Sequence, residues 1–520
     1  MMEGWLRYIN MTQAVANKKP SIAKNSVFYL IFSVLNALFP FLMSLYVARV
    51  LSTDAIGNVA YALNIVTYFS IFAFVGIPTY GMREVAKCKD DKISLNKLFT
   101  ELYTINLITT TISLGLYIGL VFIVPDFHVY EHLALYLFCA ILIGLNYFNV
   151  TWVYEGFEKF GLNALVNILT KAFAFVMLIL FVKSEEHMLI YAILSFVGFS
   201  GYYLASFFFF PKFVRFDFKG LQFKRHIKPI LFLLAVNLAI EIYSFLDITM
   251  IGAIMNSDKS PVTFYKYAHQ IQKTLLMVVN AFTMVIVPRL SKLFKEERYD
   301  EYNSLLSRTF QIILIASLPM AIGVIFTCDQ LILWIYGEDY ATSATILKVL
   351  IANIIISPIG YLLGSRVCLS ANKEKYMPIA VGIGALINIG LNAWFITLWG
   401  PVGAAIASVA SEICVLVIYL IFSHKYFKLK LSWLNLLKIF IALAITTGYL
   451  LLIHFLINRA ILKIVLEVVG AIIIYFACLL ILRESSLFGF VKNIFKRKKK
   501  EEIKEQSQEE TEQDAEKLEK

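Results

Sequence analysis

The sequence predicts an all-α polytopic membrane protein, and three observations carry that prediction. Hydrophobic residues make up 59% of the chain and charged residues 16%, a balance that leaves too little polar surface for a soluble globule. The apolar residues fall in successive runs of about 20, each long enough to cross roughly 30 Å of hydrocarbon as a helix. The connections alternate between Lys/Arg-rich and nearly bare, as expected of a chain that crosses a bilayer repeatedly.

The first run starts near Ser26. It follows a stretch, Met1 to Pro20, without the apolar core and small-residue end of a cleavable signal, so the span itself is expected to direct insertion. Runs two and three start near Gly57 and Leu102 and flank the basic stretch 79–100. The fourth starts near Leu133, after Pro125–His132, which holds no Lys or Arg. The fifth starts near Gly161 and the sixth near Met188, with Lys183 alone in the loop between them. The basic segment 212–228 leads into the seventh run near Pro229, and Lys259 stands alone before the eighth, near Val262. Basic 289–308 precedes the ninth run near Thr309, bare Tyr336–Tyr340 the tenth near Ala341. The eleventh starts near Tyr376 and the twelfth near Val402, beside the bare Trp399–Gly403. Basic 424–438 precedes the thirteenth run near Leu437, and Arg459 alone the fourteenth near Ile461. The total is about fourteen transmembrane helices. The positive-inside rule puts both termini and every basic loop in the cytoplasm, which an even number of spans satisfies.

A coarse repeat organises these spans. Tyr61-Ala62 in the second and Tyr267-Ala268 in the eighth both follow a short outer turn, and the following segments reach Arg83 and Arg289 before similar acidic-basic stretches. The expected organisation is an N-terminal lobe over 1–211, a cytoplasmic linker over 212–228, a C-terminal lobe over 229–423, an extra helix pair over 424–485 and a charged cytoplasmic tail over 486–520. The two lobes, of about six helices each, are related by a pseudo-two-fold, an arrangement that places a transport site at the repeat interface. The tail starts at a basic cluster, Lys496 to Lys500, and continues Glu/Gln-rich with few apolar residues. The Glu/Gln-rich part is expected to be disordered or a loose helix, and the basic cluster reads either as a stop-transfer flank or as an anchor to the anionic inner leaflet.

The net charge of +11 is loop-borne and reads as topology and lipid contact, not as a nucleic-acid surface. Cys88, Cys139, Cys328, Cys368, Cys414 and Cys478 are scattered without metal-ligand spacing, so free buried thiols and no metal site are expected. HVYEH at His128–His132 spells a zinc-peptidase pattern but sits in a short loop, and solvated histidines are the expected state. GLYIG at Gly115–Gly119 and GYLLG at Gly360–Gly364 match a small-residue motif that permits close helix packing within the chain.

Intramembrane charge is the feature that points to function, because an ionisable side chain at a bilayer centre costs about 3 kcal/mol or more and usually faces a bundle interior. Lys266, His269, Gln270 and Lys273 fall at i, i+3, i+4 and i+7 on the eighth span, with Asn280 extending the same face. On the seventh, Asn237, Glu241 and Ser244 share a face and Asp247 lies beside it. The fifth carries Asn163, Asn167, Thr170 and Lys171, the tenth Lys348, and the twelfth Glu412. Asp247 or Glu241 pairing with Lys266 or Lys273 is one reading of these charges. It leaves Lys171, Lys348 and Arg49 as cations in or beside spans with few nearby acids. An excess of cations suits an anionic substrate such as a pyrophosphate. Sugars need the amides and hydroxyls of residues such as Asn163, Asn167, Asn280, Asn388 and Asn392, although Asn388 and Asn392, at i and i+4, equally suit helix–helix hydrogen bonding. Arg49 equally suits snorkelling in the outer interface.

Three segments carry a family resemblance over nearly the whole chain. NYFNVTWVYEGFEKFGLNALVNILTKAF, from Asn146 to Phe173, resembles the fourth-to-fifth helix region of polysaccharide repeat-unit flippases, the Wzx-type O-antigen and capsule transporters. From Ile335 to Glu412, IYGEDYATSATILKVL, SANKEKYMPIAV, INIGLNAWFITLWGPVGAAIAS and the acidic Glu412 follow in that family's order. FLDITMIG, Phe245 to Gly252, is similar to the corresponding segment. The family belongs to the multidrug, oligosaccharidyl-lipid and polysaccharide exporter superfamily. The resemblance implies two six-helix lobes alternating between inward-open and outward-open around a central cavity. The implied substrate is an undecaprenyl-diphosphate-linked oligosaccharide, turned from the inner to the outer leaflet of the bacterial cytoplasmic membrane. The thirteenth and fourteenth spans then correspond to the helix pair with which related lipid II flippases form a lipid-tail groove.

On this reading Lys266, Lys273, Lys171, Lys348, Arg49 and Asn280 bind substrate, and Asp247, Glu241 or Glu412 carries a coupling ion. No catalytic residue and no cofactor is expected beyond a coupling H⁺ or Na⁺, because no GxxxxGK[ST] loop is present for nucleotide hydrolysis. Partners are the lipid-linked oligosaccharide, membrane lipids, and the polymerase and glycosyltransferases of the same pathway; nucleic acid is not a partner and the chain is a monomer. A cation-coupled multidrug exporter shares the fold but wants an acid in the first-half cavity, where the first span offers Ser33, Asn36, Pro40 and Ser44. A membrane glycosyltransferase needs acids on a large outer loop, and the outer loops are short.

Overall fold

The computed structural model describes residues 39–484 except 128–129, 256 and 458. The beginning of the first expected span with Ser33 and Asn36, the charged tail and the first residues of HVYEH lie outside the described residues. All described regular structure is helical, as expected. Among the described residues nine helices are long and apolar enough to cross a membrane, or ten if the bent pair Glu185–Ser200 and Tyr202–Lys212 forms one span. The chain is a multi-pass membrane protein. It divides into two compact units between Thr263 and Phe264.

In the first unit, helix α1 (Thr53–Phe74) begins at Ser52, whose hydroxyl accepts the Ala55 N–H, and ends where Val75 and Gly76 take left-handed backbone angles, φ 45° and 75°. That turn launches α2 (Ile77–Cys88). Helix α3 (Lys92–Ile123) is capped by Asp91, whose carboxylate accepts the Ile93 and Ser94 N–H groups. Its 32 residues span about 48 Å, so it outruns the hydrocarbon. Helices α4 (Tyr130–Leu145), α5 (Thr151–Gly156), α6 (Phe160–Phe181), α7 (Met188–Ser200), α8 (Tyr202–Phe207) and α9 (Lys224–Ile254) follow.

The segment before α9 is a structured strap. Phe99 stacks on Trp152, Phe210 and Tyr103 with ring centroids 5.1–5.9 Å apart, and Phe216 of the strap joins at 5.2 Å. Asn96 and Thr100, one turn apart on α3, accept the backbone N–H groups of Arg215 and Asp217, each at 2.8 Å. Glu101, almost fully buried, receives the Gln222 N–H, Arg225 Nη2 at 2.6 Å and His226 Nε2 at 2.7 Å, while the Tyr80 hydroxyl meets His226 Nδ1 at 2.9 Å. A buried carboxylate with that many donors is satisfied rather than costly.

The second unit contains most of α10 (Ser260–Val285), then α11 (Val287–Lys295), α12 (Tyr299–Ile335), α13 (Ala341–Leu350) and α14 (Asn353–Gly360). A π-helical turn, Tyr361–Arg366, leads from α14 into α15 (Val367–Ser370). Helix α16 (Tyr376–Ser423) covers two expected spans, and Gly400 breaks it at φ 57°, ψ −137°. Helix α17 (Trp433–Leu456) is followed by α18 (Ala460–Val465), a π-helical turn over Leu466–Gly470 and α19 (Ala471–Ile481). This final pair packs on α12 through Ile315, Ile439, Leu443, Tyr475 and Leu479.

The internal repeat reappears as geometry. Asn303 and Ser307 on α12 accept the backbone N–H groups of Lys428 and Lys430 at 2.7 and 2.8 Å, the same ladder that Asn96 and Thr100 make with Arg215 and Asp217. The underlying sequences are NSLLS and NKLFT. A second match, ALVNILTKAF in α6 against ALINIGLNAW in α16, makes Asn167 and Lys171 the counterparts of Asn388 and Asn392.

One expectation about packing fails. A Cβ on Gly115 or Gly119 would meet nothing within 4 Å, because that part of α3 lies among exposed apolar side chains such as Ile112 and Leu116 and faces outward. Gly364 behaves as expected: a Cβ there would sit 2.2 Å from the Tyr419 ring. Gly57 on α1 is closer still, since a Cβ there would lie 2.0 Å from the Lys259 carbonyl oxygen. Backbone cannot swing away as a side chain can, so Gly57→Ala is expected to destabilise the protein by about 1–3 kcal/mol, read as a lowered Tm in detergent.

Candidate functional site

Polar residues in the first unit gather where α1 packs on α9. Asn64 Nδ2 donates to the Phe245 carbonyl at 3.0 Å and to Thr249 Oγ1 at 2.5 Å, and the Tyr68 hydroxyl meets Thr249 Oγ1 at 2.8 Å. Tyr68 also stands edge-on to Phe245, centroids 6.5 Å apart. Asp247, 8% exposed, lies within this segment of α9, and both it and the half-buried Glu241 act electrostatically on the Tyr68 hydroxyl. FLDITMIG is therefore the docking edge of α9, with its Phe245 carbonyl, Thr249 and Gly252 all engaged with α1 or its surroundings, and Asp247 is carried among them.

The loop after α9 is tied down as well. Lys259 Nζ donates to the Gly252 carbonyl at 2.5 Å and sits 4.8 Å over the Tyr61 ring, while its N–H donates to Asp54 Oδ1 at 2.7 Å. Free carbonyls at a helix C-terminus attract a cation, so Lys259 closes α9 rather than standing in solvent.

On α6, Lys171 is half-buried with its ammonium 5.7 Å from the Phe39 ring. One turn earlier Asn167 is buried, and its Oδ1 accepts no hydrogen bond among the described residues. Asn163 Nδ2 reaches Glu155 Oε1 at 3.4 Å. Arg49 is exposed in the turn that precedes α1.

In the second unit, α10 has two distinct faces. Tyr267, Ala268, Ile271 and Gln272 are buried, with Tyr267 stacked against Tyr336 and Tyr340 at 4.6 and 5.5 Å. The predicted stripe is the more open face: Lys266, His269 and Gln270 are half-buried and Lys273 is exposed. Lys266 lies 6.0 Å from the Tyr267 ring, and the His269 ring 5.6 Å from Tyr265, whose hydroxyl meets Ser408 Oγ at 3.1 Å. Gln270 Nε2 and Asn280 Oδ1 are buried atoms without a hydrogen-bond partner among the described residues. Unspent donors and acceptors beside two ammonium groups form a surface able to take up a polar, anionic ligand. These residues also explain why α10, 26 residues long, is absent from the set of apolar spans.

Lys348 has an acid that the sequence reading did not find, Asp329 at 2.6 Å; the partner comes from α12, 19 residues away in the chain. Glu412 accepts the Ser357 hydroxyl at 2.5 Å, linking α16 to α14. Arg366, in the π-helical turn below Ser357, lies 6.0 Å from the Tyr361 ring with a buried Nε that has no partner among the described residues. It was missed because nothing in its sequence announces the π turn that re-aims it. Asn392 Nδ2 donates to Asn388 Oδ1 at 3.0 Å, and both are fully buried. The repeat thus holds Asn and Lys on α6 where it holds two asparagines on α16. Among the described residues no group of His, Cys, Asp and Glu could hold a metal ion.

The model of the family described as polysaccharide biosynthesis protein matches residues 22–294, more than half of the chain. The chain belongs to that family. A second model, MatE, matches residues 233–394. The chain is 23% identical over 426 residues to an Escherichia coli (strain K12) protein whose name assigns it, provisionally, to O-antigen transport; the match covers 78% of this chain and 97% of that relative. In fold, it superposes on lipid II flippase MurJ in an inward closed conformation with a TM-score of 0.70 at 16% identity, covering 88% of this chain and 99% of the other. An inward-facing multidrug resistance MATE family transporter of the MOP superfamily matches with a TM-score of 0.60 at 14% identity, over 75% of this chain and 94% of that one. The family member described here therefore has a transporter fold.

Proposed function

We propose that the chain is a flippase that moves undecaprenyl-diphosphate-linked oligosaccharide repeat units from the inner to the outer leaflet of the bacterial cytoplasmic membrane. It works by alternating access, for cell-surface polysaccharide synthesis, with both termini in the cytoplasm. The observation that carries the reading is the open, cationic face of α10 in a member of a polysaccharide biosynthesis family. Lys266 and Lys273 supply charge for the diphosphate, with Lys171, Lys348 and Arg49 as further cations, Lys348 already balanced in part by Asp329. Gln270, Asn280 and Asn167 supply unspent amide groups for sugar hydroxyls. The polyprenyl tail needs only lipid.

Asp247, Glu241 or Glu412 takes up the coupling H⁺ or Na⁺. No hydrolytic or transferase step is assigned to the chain. The polymerase and glycosyltransferases of the pathway are its expected partners, and it acts as a monomer.

The MatE match supports a second reading, a cation-coupled multidrug exporter, and the MurJ-like fold a third, a lipid II flippase. A single experiment separates them. Purified protein in proteoliposomes is given a diphosphate-linked oligosaccharide, lipid II and a cationic drug in turn, and appearance of each at the opposite leaflet is followed. Transport of the oligosaccharide lipid alone is the expected result, and transport of the drug alone would overturn the proposal.

A further inference from the structure

The C-terminal helix pair contains a cluster of ionisable groups that the transport reading does not use. Glu467 is fully buried, seven residues into α18 and its continuation, about 10 Å from the Ala460 end. Its Oε1 lies 3.3 Å from His454 Nδ1 on α17. Its Oε2 is buried with no hydrogen-bond partner among the described residues. Lys463, one turn earlier on the same face, is 8% exposed.

The backbone is shaped around this carboxyl. Glu467 lies in the π-helical turn Leu466–Gly470, and the Tyr449 hydroxyl donates to the Leu466 carbonyl at 3.0 Å. Gly470 makes room for that tyrosine, since a Cβ there would sit 2.0 Å from the Tyr449 oxygen. An extra residue in a helical turn re-aims the side chains that follow, and such bulges recur at functional sites. Here Val468 and Val469 are exposed while Glu467 turns inward against α17 and α12.

We propose that Glu467 and His454 form a proton-binding site that exchanges with the aqueous phase at the Leu456–Ala460 end of the pair. His454 stands two residues before the end of α17, with its side chain 34% exposed and its Nδ1 edge turned to the carboxylate. A proton arriving at Nε2 is balanced by release of the Nδ1 proton to Glu467 Oε1. The imidazole ends neutral in its other tautomer, the carboxylate becomes a carboxylic acid, and the cluster gains one positive charge in total. The groups facing this carboxyl are His454 from α17 and Lys463 from its own helix. Helix α12 presents the Phe326 ring to His454 at 6.0 Å, and its Asp329 is held by Lys348. The carboxyl thus meets His454 at one oxygen and has a second, buried oxygen without a partner among the described residues, where a proton can be held.

The test uses the full chain in lipid nanodiscs and infrared difference spectra on stepping the pH from mildly alkaline to mildly acid. A protonated-carboxyl C=O band is expected in the wild type, absent in Glu467→Gln. In His454→Phe it should appear at higher pH, because the hydrogen bond favouring the carboxylate is gone. An E467Q spectrum identical to wild type would overturn the site, as would an H454F band at unchanged pH. No substrate is involved, so the outcome is independent of whether the transport reading above survives.

Discussion

Replacing Lys266 and Lys273 together by Ala is expected to abolish movement of the diphosphate-linked oligosaccharide in proteoliposomes, with membrane insertion and thermal stability unchanged. Charge-assisted hydrogen bonds are worth about 1.5–3 kcal/mol each, so two lost contacts to a diphosphate weaken its binding by roughly two to four orders of magnitude. The structure makes the stability control meaningful. Both lysines lie on the open face of α10, whereas the packing of that helix rests on Tyr267, Ala268 and Ile271. Lys→Arg at both positions should retain transport, since charge rather than shape is required. Wild-type rates in the double Ala variant would remove the cationic face as the binding surface.

Asp247→Asn is expected to uncouple transport from an imposed proton or sodium gradient while leaving downhill movement. One elementary charge crossing the full potential is worth about 2.3 kcal/mol per 100 mV, so a coupled wild type should respond by roughly 50-fold in its limiting distribution and the variant hardly at all. Glu241→Gln and Glu412→Gln are the comparators. Glu412 already accepts the Ser357 hydroxyl, and Glu241 is less buried than Asp247. A normal gradient response in Asp247→Asn would shift the coupling role to another acid.

These two predictions rest on residues that could be picked out from their spacing alone, and the reason is physical. The stripe Lys266, His269, Gln270, Lys273 lies on one helix, and a helix converts sequence spacing into direction without help from the rest of the chain. The repeat was faintly visible in Tyr61-Ala62 and Tyr267-Ala268. Its stronger signature, Asn96 with Thr100 and Asn303 with Ser307, became apparent only when both pairs were seen holding a strap of backbone. Other residues were misjudged for want of a partner. Lys259 looked like a lone loop charge and instead closes α9. Lys348 looked unbalanced and is paired with Asp329. Nothing in the spacing of the fourteenth span announces the π turn that draws Glu467 inward.

A bilayer leaves no water for the backbone, so each spanning segment must satisfy its own hydrogen bonds as a helix of sufficient apolar length. That requirement is local. Class, helical periodicity, charge alternation along the loops and the cationic face of α10 can accordingly be read from the chain alone. Side chains inside the protein answer to neighbours brought in from afar: Asn64 meets Thr249 across 185 residues, Glu101 meets His226 across 125, and Gly57 yields to the Lys259 carbonyl. Such contacts depend on how helices pack, and packing is set by shape complementarity over many residues at once. It took the folded chain to show which charges are matched, which amides are left unspent, and which carboxyl is turned inward.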